Sequence, residues 1–191
     1  LAAVALVALP LVGSGSTWLT LTVAGLAMGT IVFIVASGLT LVFGLMDVLN
    51  FGHGVFLALG AYVAVSSFGA MAGYAASPSL AMNLVAVFAA IGIAMLAAGA
   101  LGLAFERVVV KPVYGHHLKQ ILITMGGMIV GEELIKLVWG PVPIALPLPE
   151  TLRGSFVIGE AIVEKFRVLA TVIGAVVFVV LAWVLARTKL G

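Results

Sequence analysis

Long apolar runs, parted by short polar or glycine-rich breaks, organise this chain from end to end. A helix that crosses a bilayer needs about 20 mainly apolar residues. On that measure the pattern predicts a partial span near 1–12, a long stretch from Leu19 to Met46, and a shorter run at Val55–Phe68. Further spans follow at Leu80–Phe105, Gln120–Val138 and Val168–Ala186. Wholly helical, Leu19–Met46 would be about 42 Å long against a hydrocarbon layer of about 30 Å. It is therefore expected to tilt or break, and Ser37-Gly38 is the natural place. The small-residue stretch Gly69–Ser79, with Pro78, reads as a loop. The segment GPVPIALPLPE carries Pro141, Pro143, Pro147 and Pro149, which favours extended backbone over helix. Strand-like residues around Arg153-Gly154 then suggest a short hairpin. The expected fold is all-α: a polytopic transmembrane helical bundle with a discontinuous helix near 37–54 and a short external loop or hairpin at 140–167. That loop is either a plain connector or a docking surface for an external partner.

Composition narrows the class to membrane proteins. The 191 residues are 64% hydrophobic and only 8% charged, where soluble domains carry roughly 25% charge. So little charge cannot cover a water-exposed surface. A formal net charge of +2 gives no footing for nucleic acid. The absence of cysteine excludes disulfides, thiolate metal sites and a thiol nucleophile. Position matters more than total charge. Arg107, Lys111 and Lys119 share one loop, and Arg187 and Lys189 follow the last span, so the positive-inside rule makes both regions cytoplasmic. Gly140–Arg167 then falls outside; its Arg153, Lys165 and Arg167 lower the contrast and are offset by Glu150, Glu160 and Glu164.

Against this apolar background one polar knot stands out. Asp47, Asn50 and His53 lie between two apolar runs, among Gly44, Gly52, Gly54 and Gly60. Polar groups at membrane depth are expensive and usually functional, and glycines let helices break or approach closely. Asp47 can alternatively cap a helix that begins near Asn50, and His53 can be satisfied by a backbone carbonyl at the break. Either way a helix start and polar side chains come together near membrane depth, an arrangement able to meet a polar substrate. Gly25/Gly29 and Gly127/Gly131 have the spacing of close helix packing. Glu132 and Lys136 have the i,i+4 spacing of an ion pair; the other reading puts them at the interface, with Lys136 snorkelling and Trp139 anchoring. Catalysis finds little support. His53 is far in sequence from His116 and His117, so no metal-ligand cluster forms. Ser37, His53 and Asp47 lack the G-x-S-x-G context of a hydrolase nucleophile.

The stretch Gly38–Ala64, GLTLVFGLMDVLNFGHGVFLALGAYVA, resembles the signature of the branched-chain amino acid ABC importer permeases, the LivH/LivM-like family. N-F-G-H-G at 50–54 and L-G-A-Y at 59–62 are its most specific parts. Glu106-Arg107 with Lys111-Pro112 and Gly115 is similar to the family's E-R…R-P-x-x-G loop, Lys111 standing for the usual Arg. Ile121–Gly126 with Trp139-Gly140 is similar to its L-I-x-T-x-G…W-G segment. Glu132 and Glu133 are more acidic than that helix usually is. The resemblance runs in order from about residue 18 to 191. It implies one transmembrane permease domain over 1–191, a fragment ending before the cytoplasmic region that couples to the ATPase.

It further implies an ATP-driven importer for amino acids, branched-chain above all, working by alternating access in a bacterial or archaeal plasma (inner) membrane. Implied partners are a second permease subunit, cytoplasmic ATPase subunits and an external substrate-binding protein, with the lipid bilayer around them. The chain itself binds no cofactor; it lacks a Walker A motif, and ATP is used by the partner subunits. Asp47, Asn50, Gly52, His53, Gly54 and Thr124 are the expected translocation-pathway residues, with Glu132 and Lys136 as a secondary polar lining. A permease for another small solute (amide, urea or sugar) and an ion-coupled secondary transporter are the competing readings.

Overall fold

A computed structural model describes residues 12–46, 48 and 50–187. The apolar run at 1–11, Asp47 and Lys189 lie outside the described residues. Six helices and one hairpin make up the rest: α1 Gly15–Met46, α2 His53–Ala70, the single turn α3 Ala72–Ala75, α4 Leu80–Phe105, α5 His117–Trp139, β1 Ser155–Ile158, β2 Ala161–Glu164 and α6 Lys165–Arg187. Among the described residues four stretches are long and apolar enough to cross a membrane: Gly15–Gly44, His53–Ala70, Leu80–Val113 and Lys165–Arg187. Helix α5 also has the length, 23 residues, but Lys119, Glu132, Glu133 and Lys136 set it apart, so the expected Gln120–Val138 span is not one of the four. Many large apolar side chains are exposed; Leu96, Leu122 and Leu137 are all more than 70% exposed. In water that surface would aggregate, whereas hydrocarbon tails solvate it.

The expected break at Ser37-Gly38 does not occur. Helix α1 runs unbroken for 32 residues, about 48 Å. Ser14 opens it, its Oγ accepting a hydrogen bond from the Thr17 amide at 3.1 Å. Ser37 donates its hydroxyl to the Ile34 carbonyl at 2.9 Å, so it needs no loop to satisfy it. Gly38 serves close packing rather than a kink. The discontinuity lies further on, between the end of α1 at Met46 and the start of α2 at His53, where the described residues Val48, Asn50, Phe51 and Gly52 are not helical.

Two compact units divide the chain, one drawn from Leu1–Ser37 and Leu152–Gly191 and the other from Gly38–Thr151, so the division falls inside α1. In the first unit α1 and α6 cross closely where Gly174 meets the Thr30 side chain. Phe33 and Phe178 pack edge-on nearby, 5.2 Å between centroids. The expected hairpin is present, slightly later than the strand-like residues around Gly154. Its strands pair antiparallel from Ser155↔Glu164 to Ile158↔Ala161. Gly159, at φ 63°, supplies the left-handed residue that a two-residue turn needs.

In the second unit α2 lies along α4. Ala86, Ala90 and Ala94 are buried at four-residue spacing, and Ala98 continues the ridge against Gly60. Small residues in register bring the backbones together without a large core. Asn83, fully buried, closes one end. Its Nδ2 donates toward the carbonyls of Tyr74, Ala75 and Ser77 at 2.8, 3.3 and 2.9 Å. Its Oδ1 accepts from the Thr151 amide and hydroxyl at 2.8 and 2.6 Å. The proline-rich stretch between α5 and Thr151 is thus held at its far end. Its near end is held by Trp139, which donates to Ser66 Oγ at 2.8 Å and packs on Tyr62.

At the opposite end of α4 the helix widens into a π-helical turn, Glu106–Val110, then tightens into a 3₁₀ turn, Lys111–Val113. Tyr114 donates its hydroxyl to Glu106 Oε1 at 2.7 Å and ties this elbow. That hydrogen bond, with burial and the carboxylate's charge, pushes the Tyr114 phenol up to about 12.

Of the two glycine pairs, one does the packing expected of it. A Cβ on Gly127 would meet Phe105 at 2.6 Å and one on Gly131 would meet Val55 at 2.5 Å, whereas Gly25 and Gly29 face open space. We expect Gly174→Leu to abolish the Thr30 crossing and lower the thermal midpoint of the detergent-solubilised protein by several degrees, as overpacking of about 1–3 kcal/mol implies. Gly25→Leu should leave the midpoint within error, and equal losses in both would refute the packing assignment.

Candidate functional site

The break between α1 and α2 must satisfy backbone groups that a continuous helix would pair internally. The Phe51 amide finds its partner across the unit, donating to Thr124 Oγ1 at 3.3 Å. Thr124 is fully buried. Its hydroxyl donates toward the Gln120 and Ile121 carbonyls at 2.7 and 3.2 Å, so its lone pairs are left to face the break. Asn50 Oδ1 accepts from the Gly52 amide at 3.0 Å, closing the chain on itself two residues on. The Asn50 and Gly52 carbonyls then receive the His53 and Val55 amides at 3.3 and 3.0 Å and start α2.

Helix α2 thus begins at His53, with Gly52 as its N-cap and no side chain capping it directly. The expected cap on a helix starting near Asn50 would have come from Asp47, outside the described residues. Gly52 is buried, and a Cβ there would meet Asn50 Oδ1 at 3.1 Å and the Thr124 carbonyl at 3.5 Å. Gly38, on α1, lies against the His53 imidazole: a Cβ would stand 3.0 Å from Cε1 and 3.2 Å from Nε2. Gly54 faces open space.

Five of the expected pathway residues therefore gather at one place: Asn50, Gly52, His53, Gly54 and, from α5, Thr124. Glu132 and Lys136 do not join them. Eight residues separate Thr124 from Glu132, about 12 Å along the helix axis, and both Glu132 and Lys136 are exposed. The expected Glu132–Lys136 pair is replaced by Lys136 with Glu133, 2.7 Å apart at i,i+3. Among the described residues no group of three or more metal-ligating side chains converges.

Sequence reasoning missed several neighbours of the break. Gln120 sits one turn before Thr124, almost fully buried, and its Oε1 has no hydrogen-bond partner. Gln120, Thr124, Gly127 and Gly131 make one stripe of α5 at i, i+4, i+7 and i+11, spacing that was available in the sequence. Beside the stripe lies an apolar groove of about 900 Å³, walled by Gly52, Phe56, Phe105, Val108, Ile123 and Gly126 among others.

A multi-span helical membrane protein with a polar helix break packed on a neighbouring helix is the class that this fold and site define. Residues 21–191 match the model of the family described as "Branched-chain amino acid transport system / permease component", and the chain belongs to that family. Among curated relatives it is 27% identical over 173 residues to the high-affinity branched-chain amino acid transport system permease protein BraD of Pseudomonas aeruginosa, covering 87% of this chain and 54% of BraD. It is 29% identical over 157 residues to the correspondingly named LivH proteins of Salmonella typhimurium and Escherichia coli K12, covering 82% of this chain and 48% of each relative. The chain spans about half the length of the curated relatives it matches. No solved structure gives a significant match.

Replacing Thr124 by Val keeps the shape and removes the acceptor for the Phe51 amide. We expect Thr124→Val to cost about 1–3 kcal/mol, the penalty of an unsatisfied buried donor, while Thr124→Ser stays near wild type. Thermal unfolding of the full-length protein in detergent reads the difference; identical midpoints for the two variants would refute the role given to the hydroxyl.

Proposed function

We propose that this chain is part of the membrane-spanning permease subunit of an ATP-driven importer for amino acids, branched-chain above all, that works by alternating access. The observation that carries the reading is the match of residues 21–191 to the permease family. The named relatives, BraD and LivH, are permease proteins of high-affinity branched-chain amino acid transport systems. In this reading the break between α1 and α2 borders the translocation pathway. Asn50, Gly52, His53, Gly54 and Thr124 gather there, Asp47 is a further candidate, and Glu132 and Lys136, apart from them on α5, are the candidates for a secondary polar lining. A helix start beside broken backbone can meet the charged ends of an amino acid without a buried ionic side chain. A second permease subunit completes the pathway, an external binding protein delivers the cargo, and ATP is hydrolysed on separate cytoplasmic subunits. The setting is the plasma (inner) membrane.

Orientation follows from the cations. In this reading α5 also crosses, despite the charges that set it apart, with the elbow Arg107–Lys119 facing the cytoplasm and Gly140–Arg167 the outside. A single cysteine at His116, in a chain that has none, should resist an impermeant thiol reagent in intact cells and react once the membrane is opened. Labelling from outside would invert the topology.

Energy coupling separates the importer from a secondary transporter. The full-length protein alone in liposomes should give no concentrative leucine, isoleucine or valine uptake. Addition of the second permease, both ATPases, binding protein and ATP should restore it, and an ion gradient should not substitute. Gradient-driven uptake by the lone protein would overturn the importer reading; ATP-dependent uptake confined to an amide, urea or a sugar would overturn the choice of cargo.

A further inference from the structure

The groove beside the break runs between the end of α4 and α5, and its described wall carries only hydrocarbon side chains and glycine. One of its ends coincides with the cationic elbow. Val108 and Val109, which line the groove, belong to the same π-helical turn as Arg107. Lys119 stands at i−3, i−4 and i−7 from the groove residues Leu122, Ile123 and Gly126, and so caps the α5 wall of the groove. Lys111 follows the turn directly.

The charges at this elbow differ from those of Lys136, Arg167 and Lys165. Elsewhere Lys136 is paired with Glu133 and Arg167 with Glu164, and Lys165 lies over the Phe156 ring. Arg107, Lys111 and Lys119 are exposed and, among the described residues, none is in an ion pair. The one carboxylate of the elbow, Glu106, is engaged by the Tyr114 hydroxyl. Exposed apolar residues alternate with these cations: Val108 is 74% and Leu118 is 79% exposed.

The geometry points to a binding site for one anionic phospholipid, its acyl chain in the groove and its headgroup phosphate among Lys119, Lys111 and Arg107. The hydrocarbon wall selects an apolar chain over a polar peptide, whose backbone groups would go unpaired there. The cations select a negative headgroup, each contributing roughly a fivefold preference near a membrane surface. The inference rests on the membrane setting and is independent of the transported cargo.

Native mass spectrometry of the detergent-purified full-length protein, incubated with equal phosphatidylglycerol and phosphatidylcholine, tests it. We expect one retained phosphatidylglycerol, favoured over phosphatidylcholine by at least about fivefold. Lys119→Gln, an exposed change, should lower that preference by about fivefold. Gly126→Leu should reduce retention of both lipids, because Gly126 lines the groove and a Cβ there meets no atom within 4 Å, so a larger side chain can enter the groove from this position. Equal retention of the two lipids by the wild type overturns the site, as does unchanged phosphatidylglycerol retention in either variant. Loss of co-purifying ATPase from Lys119→Gln with lipid retention intact would assign the elbow to a protein partner instead.

Discussion

A buried peptide group left without a partner is costly, and the break in the second unit is arranged around that constraint. Where α1 gives way to α2 the regular ladder stops, and the Phe51 amide is taken up by a hydroxyl on a third element. Thr124 suits the task because its own proton is already committed to the preceding turn of α5. The break is therefore part of the helix packing rather than a loop hung from it. Gly52 follows from the same arrangement: the side-chain oxygen of Asn50 and the backbone of Thr124 occupy the space that a Cβ would need.

Close approach does the work that large buried side chains do in soluble domains. Among the described residues few side chains are both large and fully buried, and three of the largest, Gln120, Asn83 and Thr124, are polar. The apolar bulk points outward, where lipid makes it harmless. Inside, the alanine ridge of α4 and the glycines of α5 set the separations. Specificity of packing then falls to the buried polar groups, since an unpaired one is costly while one apolar contact is much like another.

Much of this was legible in the residues. The apolar runs gave the helices because length and hydropathy alone decide what can cross a bilayer, and the proline-rich segment and hairpin were visible in their turn residues. The excess length of Leu19–Met46 points to a tilt or a break, with Ser37-Gly38 as its place. In hydrocarbon the serine hydroxyl simply bonds back to Ile34, and the true break falls where Asn50 offers the backbone an alternative partner. The density of polar residues marked the site, and the family motif added Thr124. Which carboxylate Lys136 takes was not legible, because i,i+3 and i,i+4 partners were both present and the rotamer decides. The reach of Asn83 to Thr151, across 68 residues, depends on tertiary folding and leaves no local trace.

The Asn83 cluster has a mechanical side. Its amide gathers the chain around 74–77 and the turn at Thr151 onto the start of α4, while Trp139 is pinned to α2. The proline-rich stretch between these anchors is a strap fastened at both ends, stiffened by rings that fix the backbone. A free loop would absorb a push by reshaping itself. A fastened strap cannot slacken, so force applied along it is passed to its two fixings, the C-terminal half of α2 and the first turn of α4, and these are lifted or pressed together rather than one at a time.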